Sequence, residues 1–331
     1  MIAIPMSNPL FQVLITDRFD EAALSALTGD KRLKVTICPS PHPDAGDLAL
    51  TEGLIIRSRT TITREFLAQA PKLKVVITAT SGFNHIDLDA TQERGIAVMH
   101  TPEANAQSAA ELTWALVLAC ARHVPQAHQA VKVGNWKRET LLGTELSHKT
   151  YGIVGLGRIG SRVAQFARAF NMKVLAFDPY KNDEHFHRNG AKRTALADLM
   201  RLCDFVSLHV PATQETHQLV SETIFEHANP HLVLVNTSRG SAINENNLID
   251  ALQAKKIAGC GLDVFESEPV SQSSALLSLP NVILSPHIGA TTAQAFTAAS
   301  VEAAHKMLHF AKTFKTSDTL PPNEKWYRTR F

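Results

Sequence analysis

The chain has 331 residues, enough for two domains of about 150 residues each and too many for a single small module. Charged residues make up 19% and hydrophobic ones 44%, with a net charge of +2, which speaks against disorder and against the basic surface of a nucleic-acid binder. The four cysteines, Cys38, Cys120, Cys203 and Cys260, are far apart in apolar surroundings without a C-x-x-C pair. No metal site or thiol redox centre is expected, and the thiols read as reduced core residues of a cytoplasmic protein.

The first cation is Arg18, and the apolar residues 11–16 are too short for a signal h-region, so no export is expected. Short β-type runs at 12–16, 34–38, 53–57, 74–79 and 96–100, with helical stretches at 21–27 and 63–70, suggest βαβ units and a small doubly wound layer. A long helical segment follows at 105–122 and continues unevenly past Pro125 to about Trp136. Its apolar run, 112–121, has roughly half of the ~20 residues that cross a bilayer. A buried connecting or interface helix is expected, and no membrane partner. From Tyr151 the pattern restarts, with strands at 151–154, 173–177, 205–210, 232–236, 259–264 and 282–285. Helices at 159–170, 195–202 and 245–254 separate most of them, and a last helix at 291–314 leads to a polar tail.

The most specific motif is Gly152-Ile153-Val154-Gly155-Leu156-Gly157-Arg158-Ile159-Gly160, a G-x-G-x-x-G that leaves an apolar strand and opens a helix. Gly155 would make the tight turn, Gly157 would let the backbone approach a pyrophosphate, and Gly160 would permit close helix–strand packing. Arg158 and Ile159 would supply amides of the first helical turn, where the helix dipole favours phosphate. Glycines also serve ordinary turns, so the motif alone is weak. Asp178 strengthens it: it ends the next strand, 23 residues past Gly155. An acid there accepts hydrogen bonds from the adenosine ribose and repels a 2′-phosphate, so NAD is expected in preference to NADP.

Ligands of open parallel sheets bind beyond the C-terminal ends of the strands, and three later strands end in residues capable of chemistry. The run 232–236 leads into Thr237-Ser238-Arg239-Gly240, the run 261–265 into Glu266-Ser267-Glu268-Pro269, and the run 282–286 into His287. Singly each is an ordinary polar residue; together on one rim they form a set. An arginine fork binds a carboxylate and polarises an adjacent carbonyl, and a histidine held by a carboxylate is a general acid/base. The implied reaction is reversible reduction of a 2-oxo acid to a 2-hydroxy acid.

These residues resemble the D-isomer-specific 2-hydroxyacid dehydrogenase family along almost the whole chain. Matching segments are Gly82-Phe83-Asn84-His85-Ile86-Asp87, Thr101-Pro102 with Asn105 and Ser108 to Glu111, the glycine fingerprint, His209-Val210-Pro211, Ser238-Arg239-Gly240, Leu262-Asp263-Val264-Phe265 with Glu268-Pro269, and Ser285-Pro286-His287-Ile288-Gly289-Ala290. The resemblance implies Arg239, Glu268 and His287 as the catalytic set and Asp263 as holder of the nicotinamide amide. It also implies that Val210, Pro211, Thr237, Ser238, Gly289 and Ala290 line the cofactor, and that Arg57, Ser81 and Gly82, with Arg239 and His287, meet the substrate. The fold it implies is α/β with two doubly wound parallel-sheet domains. A Rossmann NAD-binding domain (102–290) is inserted into a flavodoxin-like substrate domain (1–101 and 291–331), and the long helix after Pro102 contributes to a homodimer.

Gly143-Thr144-Glu145-Leu146, Lys149-Thr150 and Ala176-Phe177-Asp178-Pro179 are most similar to the phosphoglycerate dehydrogenases, as is Arg57-Ser58-Arg59. The C-terminal regulatory domain that many of those enzymes carry is not expected here, which counts against the narrow reading, and substrate identity stays open. Alternatives are a glyoxylate or hydroxypyruvate reductase and, in another class, an NADH-sensing protein like the C-terminal-binding corepressors. Glu268 disfavours formate dehydrogenases, which pair the histidine with glutamine, and Ser81 stands where phosphite dehydrogenases have lysine.

Overall fold

The computed structural model describes residues 10–136 and 138–328; expectations that fall on residues 1–9, on Lys137 in the expected dimer arm, and on 329–331 lie outside the described residues. Five apolar runs in the first third form β1 (Phe11–Ile15), β2 (Leu33–Ile37), β3 (Gly53–Ile56), β4 (Val75–Thr78) and β5 (Ala97–His100). Then come β6 (Thr150–Val154), β7 (Lys173–Phe177), β8 (Lys192–Arg193), β9 (Phe205–Leu208), β10 (Val233–Asn236), β11 (Gly259–Leu262), β12 (Val282–Leu284) and, last, β13 (Thr319–Leu320). The chain divides into two compact units, one made of the residues up to Asn105 with Thr291–Tyr327, the other chiefly of Ala106–Ala290.

In the first unit the sheet runs β13-β5-β4-β3-β1-β2, parallel except for β13, which pairs antiparallel with β5. The order β2-β1-β3-β4-β5 is the flavodoxin-type doubly wound arrangement. Both faces are covered, which is why its strands read as continuous apolar runs rather than alternating ones. Val13, Ile15, Val75 and Ile77 face one cluster with Ala299, Ala303 and Met307 of the helix Ala293–Thr313. Leu14, Leu54, Ile56 and Val76 face another with Leu48, Leu67 and Leu88.

The second unit's sheet runs β12-β11-β10-β9-β6-β7-β8, all parallel. This is the Rossmann strand order with a seventh strand added at one edge. Val154, Val206, Leu208 and Leu234 pack against Leu199 and Leu248 on one face. Tyr151, Ile153, Ala176 and Val235 pack against Trp114, Val117 and Val163 on the other.

That second face takes in much of the run 112–121: Trp114, Leu116, Val117 and Ala121 of the helix Ala106–Arg122 are buried in this unit's own core, and Leu112 and Leu118 are half-buried against it. The expected continuation of the helix past Pro125 is not seen. His123, at φ +52, ends it in the left-handed region, and a separate helix, Val124–Lys132, begins with Pro125 in its first turn, where the missing N–H costs nothing. Exposed large apolar side chains lie beyond the break: Val124, Val131, Val133, Trp136 and Leu142.

The four cysteines are free thiols; Cys203 and Cys260 are buried, and Cys38 and Cys120 are half-buried. Burial pushes the Cys120 and Cys203 thiols up to about 12, which keeps them protonated and unreactive. Among the described residues, no helix is long and apolar enough to cross a membrane.

Candidate active site

The glycine-rich turn follows β6 directly. Gly155 has φ +91, and a Cβ there would stand 2.5 Å from the His209 carbonyl oxygen, so both conformation and space require glycine. Gly157 is the N-cap of the helix Arg158–Ala169 and has nothing within 4 Å of a built Cβ. Open space is what a phosphate needs in front of the amides of Arg158, Ile159 and Gly160. A Cβ on Gly160 would meet the Gly155 carbonyl oxygen at 2.1 Å, so turn and helix approach as closely as backbone allows. Asp178, buried just past β7, accepts from the Leu156 amide (2.9 Å) and the Tyr180 amide (2.9 Å). Each carboxylate oxygen retains acceptor capacity for a ribose hydroxyl. These residues fit a dinucleotide. Val210 and Pro211 follow β9, where Thr216 Oγ1 holds the loop by donating to the Pro211 carbonyl (2.6 Å).

The chemistry-bearing residues follow β10, β11 and β12. His287 Nδ1 and Glu268 Oε2 are 2.7 Å apart, and Glu268 Oε1 accepts from the Phe265 amide (3.1 Å). The bond through Nδ1 leaves Nε2 for a substrate. His287 sits at φ +52, a conformation costing a residue with a side chain about 1–2 kcal/mol, held because its N–H donates to the Asp263 carbonyl (2.8 Å). Arg239 is half-buried, with Nη1 donating to the Ser238 carbonyl (2.6 Å). Burial pulls its guanidinium below the usual range while the nearby Glu268 carboxylate acts the other way, so the two loops are electrostatically joined.

Two residues do more than their sequence suggests. Asp263, fully buried, accepts from Ser285 Oγ (2.6 Å), the Ile288 amide (2.9 Å) and the Gly289 amide (2.8 Å), and thereby fixes the loop that carries His287. Its expected contact to a nicotinamide amide is left with the remaining lone-pair capacity of these oxygens. Asn236, at the end of β10, accepts from both the amide and the hydroxyl of Ser238 (3.0 and 2.9 Å) and donates to the Arg239 carbonyl (2.8 Å). It shapes the Thr237-Ser238-Arg239 turn. An asparagine at the end of an otherwise apolar strand was the only signal for it. Thr237 Oγ1 is hydrogen-bonded to Thr113 Oγ1 (2.6 Å), and Ala290 follows Gly289, whose amide Asp263 accepts.

Arg57, Ser81 and Gly82 belong to the first unit, at the C-terminal ends of the adjacent strands β3 and β4. The Ser81 carbonyl is bonded to His100 Nδ1 (2.9 Å), and the Gly82 carbonyl accepts from Thr80 Oγ1 (2.7 Å). Burial pulls the Arg57 guanidinium below its usual range, with Asp17 acting against that. Among the described residues no group of three or more His, Cys, Asp or Glu side chains is placed to hold a metal ion.

Comparison with known proteins places this geometry among relatives. Residues 114–289 match a family described as the D-isomer specific 2-hydroxyacid dehydrogenase, NAD binding domain. The chain is 39% identical over 304 residues to a D-3-phosphoglycerate dehydrogenase of Mycobacterium tuberculosis, covering 91% of this chain but 57% of that protein. It is 37% identical over 303 residues to a hydroxypyruvate reductase of Thermotoga maritima, covering 90% of this chain and 97% of the relative. A D-lactate dehydrogenase of Aquifex aeolicus solved with NAD and lactic acid superposes with a TM-score of 0.81 at 31% identity, over 91% of this chain and 95% of that one.

Proposed function

Since the chain belongs to the D-isomer-specific 2-hydroxyacid dehydrogenases, we propose that it is an NAD-dependent oxidoreductase interconverting a small 2-hydroxy acid and its 2-oxo acid. The observation that carries the reading is the 2.7 Å pair of His287 and Glu268, beside Arg239, on strand-end loops of an NAD-binding sheet. Bound NADH would supply hydride to C2 of the 2-oxo acid. Arg239 holds the substrate carboxylate through its guanidinium fork and draws electron density from the neighbouring carbonyl. His287 gives its Nε2 proton to the substrate oxygen, which becomes the hydroxyl, and in the reverse direction takes that proton back. Glu268 stabilises the imidazolium and fixes the ring's orientation. The geometry at Gly155, Gly157, Gly160 and Asp178 supports pyrophosphate and ribose contacts there.

In this reading the second unit is the NAD-binding domain, lined by Val210, Pro211, Thr237, Ser238, Gly289 and Ala290, and the first is the substrate domain, contributing Arg57, Ser81 and Gly82. Arg57 favours a substrate with a second anionic group, 3-phosphoglycerate among them, over glyoxylate or hydroxypyruvate. The exposed apolar residues between Val124 and Leu142 support a homodimer. The four free thiols support a cytoplasmic location. The test is a panel of phosphohydroxypyruvate, hydroxypyruvate, glyoxylate and pyruvate, followed by NADH absorbance, with turnover expected on at least one. NADH binding without turnover on any would overturn the enzyme reading in favour of an NADH-sensing protein.

A further inference from the structure

The peptide between Leu156 and Gly157 lies in the middle of the glycine turn, and its orientation decides which backbone group the turn presents to a ligand. In a trans peptide the C=O and the following N–H point in opposite directions. Glycine accepts φ of either sign, so a peptide that precedes one turns over at little conformational cost. Here it is clamped. The Leu156 N–H donates to Asp178 Oδ2 (2.9 Å), which fixes the peptide before it, and the Leu156 carbonyl lies 2.8 Å from His185 Nε2. A carbonyl oxygen only accepts, so the hydrogen of this bond is on Nε2. Ser161 Oγ reaches the same carbonyl only at 3.4 Å, the long limit of a hydrogen bond.

His185 is itself held in place, by the helix Asp183–Arg188. Phe186 is buried in the core of the second unit, and the Arg193 guanidinium lies over its ring (4.3 Å to the centroid) while Nε donates to Asp183 Oδ1 (2.7 Å). Asn182 Oδ1 accepts from the His185 amide (3.0 Å), and Asn189 Nδ2 donates to the His185 carbonyl (2.8 Å). The half-buried imidazole therefore projects from a backbone tied on both sides. With the Leu156 carbonyl drawn towards His185, the Gly157 N–H points the other way. Among the described residues that N–H has no partner, and a Cβ built on Gly157 meets nothing within 4 Å.

We infer that His185 is a positioning residue for the cofactor: by holding the Leu156 carbonyl it aims the Gly157 N–H at the dinucleotide's pyrophosphate. This rests on the pyrophosphate contacts proposed above for the glycine turn, and not on the reaction. The glycines make the turn open enough for a phosphate, and the imidazole keeps that freedom from turning the amide away.

The test compares the full-length wild type with His185→Leu and His185→Met, which keep bulk and remove the donor, and with His185→Gln, whose side-chain amide restores one. Calorimetry with ADP-ribose, which carries the pyrophosphate, is set against displacement of NADH fluorescence by adenosine, which carries none. Both donor-free variants should raise the Kd for ADP-ribose at least about threefold, the scale of one lost neutral hydrogen bond, and leave that for adenosine within about twofold. His185→Gln should stay within about twofold of wild type on both ligands. In turnover, KM for NADH should rise while kcat at saturating NADH stays within about twofold. A smaller change with ADP-ribose, equal weakening of both ligands, or failure of His185→Gln to rescue overturns the inference. Gly157→Ala, which puts a methyl group in the open space, separates this from the reading of the turn. If it weakens ADP-ribose and the donor-free variants do not, the inference falls and the turn still binds pyrophosphate; if it leaves ADP-ribose unchanged, both fall. None of these binding measurements requires that a 2-oxo acid be reduced.

Discussion

Gly240→Ala probes how closely the Arg239 loop must lie against the segment that leads to Glu268. A Cβ on Gly240 would stand 1.9 Å from both the carbonyl carbon and oxygen of Phe265 and 2.6 Å from the Glu266 nitrogen, where ordinary contact begins at 3.4 Å. The backbones must therefore part by about 1.5 Å, and no side-chain rotation can absorb it because the atoms on both sides are main chain. Phe265 donates to Glu268, and Glu268 holds His287, so the displacement falls on the carboxylate or on Arg239. Misplacing a catalytic group by about 1 Å costs on the order of 10²-fold in rate, and an overpacked site costs about 1–3 kcal/mol of stability. We expect kcat for 2-oxo acid reduction to fall about 100-fold. NADH affinity, read from nucleotide fluorescence, should stay within about threefold, because the glycine turn lies on β6. Circular dichroism and a urea transition would show that the variant is folded. A folded Gly240→Ala enzyme with kcat within about threefold of wild type would refute the reasoning.

His287→Ala should lower kcat by roughly 10² to 10⁴ while leaving NADH binding almost unchanged, and near-wild-type turnover would remove His287 from the proton-transfer role. Asp178→Ala should narrow the preference in kcat/KM for NADH over NADPH by about tenfold or more, since the carboxylate that repels a 2′-phosphate is then gone; an unchanged ratio would count against the ribose contact. Burial pushes the His209 imidazole down to about 3, so it stays neutral in the folded protein while an unfolded histidine takes up a proton below about 6.5. Stability from this group is full above that pH and is lost as pH falls towards 3. Urea midpoints of His209→Asn between about pH 6.5 and 4 should therefore lack up to about 1.4 kcal/mol per pH unit of the wild-type slope, and parallel slopes would contradict this. Sedimentation equilibrium at micromolar concentration should give twice the 36.2 kDa chain mass, and Val133→Glu should shift it to monomer; a wild-type monomer would refute the proposed dimer.

What could be seen in the sequence was what local rules govern. The strands were legible because a parallel sheet covered on both faces demands unbroken apolar runs, and Val75 to Thr78 or Val233 to Asn236 can hardly be anything else. The glycine turn was legible because Gly155 and Gly160 answer to contacts within a few residues or to one neighbouring strand, and Gly157 to the open space before the helix. Short helices such as Ala45–Leu50 and Asp183–Arg188 were not, since one turn and a half carries too little apolar periodicity to register. The ends of β9 and β11 came too far along the chain for a related reason: Val210 and Val264 are apolar, but the ladder stops at Leu208 and Leu262.

The parts of the site that escaped notice share a different property, which is that their partners are distant in sequence. Asp263 is expected from the resemblance only as a cofactor contact, and the structure adds that its carboxylate is bound to Ser285, Ile288 and Gly289 and sets the backbone from which His287 projects. Lys306 makes the same point in the first unit. A lysine in the helix Ala293–Thr313 would be assigned to the surface, but it is buried, paired with Glu302 (2.6 Å) and Asp318 (3.0 Å), and donates to the His100 carbonyl. A buried carboxylate or ammonium without a partner costs too much to persist, and Asp263 and Lys306 have each found theirs through the fold. Identity and order of motifs can name the residues that do chemistry, and only the assembled chain shows which residues hold them in place.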